Sequence, residues 1–129
     1  MTSELEKTLQ IPFDDAITRA TEALKAEGFG VLTEIDVRNT LQQKLGVEFR
    51  RYRILGACNP PFAHKALEID LAAGLMMPCN VVVFERDDGA VSVSAVDPTK
   101  SAAATGNPKL VDLAGAVREK LAAALARLP

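Results

Sequence analysis

Two runs rich in β-branched residues, Val81–Glu85 and Val91–Val96, flank Asp88 and Gly89. Runs of that kind on either side of a short Gly-containing turn form an antiparallel hairpin. Taking Asp88 and Gly89 as a two-residue type I′ turn sets the register by counting. Ala90 then faces Asp87, Val93 faces Phe84, Ala95 faces Val82 and Asp97 faces Asn80. Val82, Phe84, Val91, Val93 and Ala95 would share one apolar face, with Val81, Val83 and Val96 on the other beside Glu85, Ser92 and Ser94. A lone hairpin cannot bury such a face, so the pattern demands further strands and a covering layer.

The rest of the chain supplies both. Leu5, Leu9 and Ile11 alternate within residues 3–11, with Lys7 interrupting the stripe, as expected of an edge strand. Asp14 is placed to cap a helix carrying Ile17, Ala20 and Leu24, and Gly28 supplies its exit. Phe29 to Val37 alternates again, with Phe29, Val31 and Ile35 on one side and Leu32 and Glu34 on the other. A short helix over 39–45 ends at Gly46. The following strand, 49–58, sets Tyr52, Ile54 and Cys58 against Arg51, Arg53 and Leu55. Asn59-Pro60 and Asn107-Pro108 are helix starts, since Asn accepts from free amides and Pro at the first helical position has no amide to lose. The second of these opens a stripe of Leu110, Leu113, Val117, Leu121 and Leu125. The expected fold is α+β in two layers, a mostly antiparallel sheet of about five strands with helices packed on one face.

At 129 residues and 48% hydrophobic, the chain suits one domain spanning residues 1–129. Fifteen basic against seventeen acidic residues leave a net charge of -2, which removes the main electrostatic drive toward nucleic acid or an anionic membrane. Gly74, Pro78 and Asn80 interrupt the longest apolar stretches, so no membrane span is expected. The acidic start, Met1 to Gln10, lacks the pattern of an export signal, and a cytoplasmic location follows as the expectation. Two cysteines without CxxC spacing read as free thiols.

Cys58 ends a strand just before a helix N-terminus, where the helix dipole can lower a thiol pKa. It is a candidate nucleophile or ligand, or else a small buried hydrophobe. His64, the single histidine, is a candidate base or ligand, and Glu68 at i+4 offers it an ordinary helix-face partner. Cys79 and Asn80, preceded by Met76, Met77 and Pro78, place soft donors together, although methionines beside Leu75 also suit core filling. Topology decides whether the cysteines meet: a right-handed crossover would set Cys58 and Cys79 at opposite ends of parallel strands, whereas Leu71–Pro78 is long enough to deliver an antiparallel one. Glu34 and Asp36 share a strand face and are candidates for acid–base work, or for a cross-strand ion ladder with Arg51 and Arg53. Asp97 closes the hairpin. No GxGxxG, Walker or GxSxG pattern is present.

The segments GFGVLTEIDV (28–37), LGACNPPFAHKAL (55–67), GLMMPCNVVVFE (74–85) and VSAVDP (93–98) together resemble the domain of unknown function 302 family, in order along nearly the whole chain. The resemblance implies a compact, dimeric α+β domain with no assigned reaction, and no shared catalytic role for His64. Its CNP, PCN, TEIDV and DP segments fall at Cys58–Pro60, Pro78–Asn80, Thr33–Val37 and Asp97–Pro98. The leading functional expectation is a pocket for a small molecule or metal around Cys58-Asn59 and Cys79-Asn80, with His64, Asp97 and Glu34 as further candidates. The alternatives are a thiol-dependent enzyme using Cys58 with His64 as base, and a dimeric interaction module without chemistry. A homodimer is expected through the face opposite the helices, to which the counting above assigns Leu32, Leu55, Ala57, Val81, Val83 and Val96.

Overall fold

Five strands form a single antiparallel sheet in the order β1-β5-β4-β3-β2. They are β1 (Glu6–Leu9), β2 (Gly30–Asp36), β3 (Tyr52–Cys58), β4 (Cys79–Glu85) and β5 (Val91–Ala95). The helices are α1 (Phe13–Ala26), α2 (Val37–Leu45), α3 (Pro60–Ile69), α4 (Pro98–Thr105) and α5 (Pro108–Ala126), with a 3-10 turn over Leu71–Met76. The structure, a computed structural model, describes residues 3–129, and Met1 and Thr2 of the acidic start lie outside it. The fold is α+β, as expected from the sequence. No helix among the described residues is long and apolar enough to cross a membrane.

The hairpin register differs by one residue from the counted one. Val83 faces Val93, Val81 faces Ala95 and Phe84 faces Ser92. The loop has three residues rather than two: the Arg86 amide donates to the Ala90 carbonyl at 2.8 Å, and the Gly89 amide returns to the Arg86 carbonyl at 3.1 Å. A type I′ turn would need φ > 0 at Asp88 as well, but only Gly89 adopts it, at +86°. The Asp88 carboxylate instead accepts from the Ala90 amide at 3.0 Å. This is a turn followed by a left-handed glycine, the usual three-residue hairpin. The outcome also matches burial. Val81, Val83, Val91 and Val93 come onto one face, each at most 1% exposed.

That face carries the core. Leu55 and Ala57 of β3 join it opposite Val81 and Cys79, and α1 and α5 cover it with Ala16, Ala20, Leu24, Val117, Leu121 and Leu125. Leu55, Ala57, Val81 and Val83, expected on the bare face, therefore lie under the helices. The outer face instead carries Ile35, Tyr52, Ile54, Val82 and Phe84, with Tyr52 and Phe84 stacked across the strands at 5.2 Å. Leu32 and Val96 are exposed as expected, at 69% and 38%.

Strand β2 changes faces midway. A bulge between Val31 and Thr33 leaves Leu32 as an extra residue, so Val31 pairs with Ala57 while Glu34 pairs with Leu55. Ile35 consequently parts from Phe29 and Val31, and Glu34 and Asp36 turn to the helix side, where Arg53 meets them at 2.9 and 4.0 Å. Arg51 reaches Asp14 and Glu85 at 3.8 and 3.9 Å. The arginine and carboxylate ladder between the strands is therefore present. Lys7, which breaks the stripe of β1, directs its ammonium to the Leu128 carbonyl at the chain end.

Helix starts also depart from expectation: α2 opens at Val37 and not at 39, with the Asp36 carboxylate accepting from the Asn39 amide at 3.0 Å. Helix α1 begins at Phe13 behind Pro12 with no side-chain cap. Asp14 therefore lies inside the first turn, where it and Asp15 favour the dipole without capping. Residues 98–105, which bear no helical stripe, form α4, capped by Asp97 through the Thr99 amide at 3.0 Å. Asp97-Pro98 repeats the Asn107-Pro108 arrangement, in which Asn107 accepts from the Lys109 amide at 3.0 Å.

Candidate functional site

The third such start, Asn59-Pro60, behaves differently. An Asx cap accepts from the second or third helical amide, but the second helical residue of α3 is Pro61, which has no amide to give. The Asn59 side chain makes no cap bond and turns back to donate from Nδ2 to the Glu27 carbonyl at 3.2 Å, beyond the end of α1. Asn59 is the one polar residue in the buried set among the described residues, at 8% exposure. It latches α1 to the β3–α3 junction. Asn59→Ala should therefore cost about 1 to 2 kcal/mol by leaving a carbonyl without its donor. Asn59→Ser should cost nearly as much, because a serine cannot reach Glu27, whereas Asn107→Ser should be almost neutral as one cap replaces another. Urea melts of the three variants check this, and a neutral Asn59→Ser would mean that Asn59 acts as a cap after all.

Behind Asn59 lies a cavity of about 80 Å³ at the end of the sheet. Ala57 and Cys58 close it from β3, Cys79 from β4, Phe62 and Ala66 from α3, Met76 and Met77 from the segment before β4, and Ala102, Leu110 and Val117 from α4 and α5. It sits where the main core meets a smaller cluster built from Ala66, Ala73, Ala102, Leu110 and Ala114. The antiparallel pairing of β3 with β4 sets Ala57 opposite Cys79, which resolves the two possible crossings in favour of cysteines at the same end of the sheet.

Both cysteines are free and partly buried. Burial pushes the Cys79 thiol above its ordinary value of 9.0, and the negative charge of an ionised Cys58 raises it further. A raised thiol pKa favours the neutral form, so the reactive thiolate forms only at correspondingly higher pH. In Cys58→Ser, Cys79 should alkylate slowly at neutral pH, with a rate that keeps climbing past pH 9, the ordinary value. A plateau reached below that pH in an iodoacetamide rate profile would contradict it.

Of the residues expected at the site, Cys58, Asn59 and Cys79 converge on the cavity. The others do not. His64 is exposed on α3, 3.3 Å from Glu68, and is no part of the lining. Asn80 is exposed on the outer face, its carbonyl accepting from the Val96 amide at 3.0 Å. Glu34 is paired with Arg53. Asp97 caps α4 and meets Arg118 at 3.2 Å, and hydrogen bonds from Thr99 and Arg118 hold its carboxyl below the ordinary 3.8 against the opposing effect of burial. Among the described residues no three of His, Cys, Asp and Glu form a group able to hold a metal ion. The lining contributed by α4 was hidden in the sequence by its alanines, although Asp97-Pro98 marked the helix start.

The family model described as Domain of unknown function DUF302 matches residues 5–128. The chain belongs to the DUF302 family. A solved relative, described as the crystal structure of uncharacterized conserved protein DUF302 from Bacillus stearothermophilus, is 32% identical over 98% of this chain and 100% of its own, with a TM-score of 0.88. No curated protein matches. The DUF302 fold thus accounts for the whole two-layer arrangement, while the chemistry has to be read from the cavity.

Proposed function

We propose that this DUF302 domain is a binding module that takes up a small molecule or a metal ion in the cavity behind Asn59. The supporting observation is convergence: segments far apart in the chain, ending in Cys58-Asn59 and beginning at Cys79, line one apolar space of about 80 Å³. Binding sites are commonly concave and apolar with few polar groups; at about 80 Å³ this cavity is smaller than the roughly 300 to 1,000 Å³ of sites for larger ligands, so its guest would be of a few atoms. A thiol enzyme is less well supported, because His64 stands outside the lining. Reduced thiols suit the cytoplasm.

Xenon tests whether the space admits a guest, since dry apolar cavities take it up. Under xenon pressure the NMR signals of the Met76, Met77 and Ala102 methyls should shift saturably, and the cavity-filling variant Ala66→Leu should abolish the shifts. Unchanged spectra, or shifts scattered over the surface, would overturn the reading.

A homodimer is a second proposal, supported by the apolar outer face of Ile35, Tyr52, Ile54, Val82 and Phe84, on which Ile35 is 49% exposed. Its occupant would be the same face of a second copy, related by a two-fold axis. Sedimentation equilibrium should give a dimer mass for the native chain and a monomer mass for Phe84→Glu, while a native monomer at micromolar concentration would remove the proposal.

A further inference from the structure

Helix α3 opens with most of its first amides accounted for. Pro60 and Pro61 have none, and the Ala63 amide donates to the Asn59 carbonyl at 2.9 Å. That leaves the Phe62 amide, an ordinary partner of an Asx cap oxygen, and no group among the described residues accepts from it. The cap oxygen is free as well. The Glu27 carbonyl only accepts, so the end of the Asn59 amide that meets it is Nδ2, and Oδ1 has no partner among the described residues. A Cβ on Gly28 would stand 3.1 Å from Nδ2 but 3.9 Å from Oδ1, so the oxygen is the end turned away from α1. Every fully buried side-chain nitrogen or oxygen among the described residues has a partner. Oδ1 therefore borders open space, and at a residue only 8% exposed that space is the cavity, which Asn59 and Phe62 both line.

Resting on the reading of the cavity as the binding site, we infer that its guest is a neutral molecule of a few heavy atoms, with a hydroxyl head and a short apolar tail. The hydroxyl donates to Asn59 Oδ1 and accepts from the Phe62 amide. It thereby takes the acceptor's place at α3 that Asp97 and Asn107 fill at α4 and α5. A vacant acceptor and donor at an apolar wall give such a guest a gain that a plain hydrocarbon lacks. The tail lies against Ala66, Ala102, Leu110 and Val117, and a space of about 80 Å³ keeps it short. No charged side chain lines the cavity, so a charged guest would lose its hydration without a counter-charge.

2-Propanol and acetone test the head group, because they are alike in size and both accept, but only the alcohol donates. In NMR titrations of the full chain, 2-propanol should shift the Phe62 amide and the Ala102 methyl saturably, and acetone should bind about 10-fold more weakly. Acetate, a charged molecule of like size, should give no saturable shift. In Asn59→Ala, with thermal melts confirming the fold, the preference for the alcohol should fall to within about 2-fold, since the acceptor is gone. No saturable shift with 2-propanol, equal binding of alcohol and ketone to the native chain, a preference that survives Asn59→Ala, or acetate binding as tightly as 2-propanol would each overturn the assignment. The xenon experiment separates the two failures: uptake of xenon without a preference for the alcohol would leave the binding cavity standing and remove the hydroxyl guest.

Discussion

Val83→Glu is expected to leave the chain unfolded, while Phe84→Glu, one residue along the same strand, is expected to fold. Val83 has no exposed surface, and it faces Arg53 on one side and Val93 on the other beneath the helices. Arg53 is already engaged by Glu34 at 2.9 Å, so a new carboxylate would be buried short of partners at a cost of several kcal/mol. That is comparable with the whole stability of a domain, about 5 to 15 kcal/mol. Phe84 points to the outer face, where the substitution removes its stack on Tyr52 and costs about 1 kcal/mol within the folded state. Far-UV circular dichroism and urea melts distinguish the two. Similar behaviour of both variants would refute the hairpin register, and the counted two-residue turn predicts the opposite ranking.

The second large effect concerns Gly56, where the constraint is space. A Cβ there would lie 2.8 Å from Cγ of Pro78 and would collide with the Thr33 hydroxyl. Thr33 can rotate away, but the proline ring cannot, so Gly56→Ala should cost about 3 kcal/mol, at the upper end for overpacking. Adding Thr33→Ala should recover only part of the loss, because the contact with Pro78 persists. Urea midpoints of the single and double variants decide it. A loss below about 1 kcal/mol would show that the neighbouring segments yield readily, and full recovery would place the whole obstruction at Thr33.

Residue types and periodicity made the layers and strand number legible: of the α5 stripe, Leu110, Val117, Leu121 and Leu125 are buried as their spacing requires, and Leu113 is half-buried. Faces were harder to read, because each depends on a single-residue count. Asp88-Gly89 has the composition of a two-residue turn, yet closes as part of a three-residue loop once Val81 and Val83 have a core to fill. Leu32 offers no local sign that it will be the extra residue of a bulge, since the bulge lets Val31 reach the core while Glu34 and Asp36 meet Arg53. At the cavity, Cys58, Asn59 and Cys79 were identifiable by residue type and by their places at strand ends. Their meeting depended on the antiparallel crossing, and the role of Asn59 on the missing amide of Pro61.

The bulge in β2 has a further consequence, for how sheets of neighbouring molecules meet. β2 is one edge of the sheet and β1 the other. A strand kinked at Leu32 and carrying Glu34 and Asp36 offers a poor template for a visiting strand. β1 is only four residues long and includes Glu6 and Lys7. Both margins therefore resist lateral growth into a continuous ribbon, the route by which exposed strands build fibres. A crowded solution of this protein should associate through faces, in assemblies of finite size, before it polymerises through its edges.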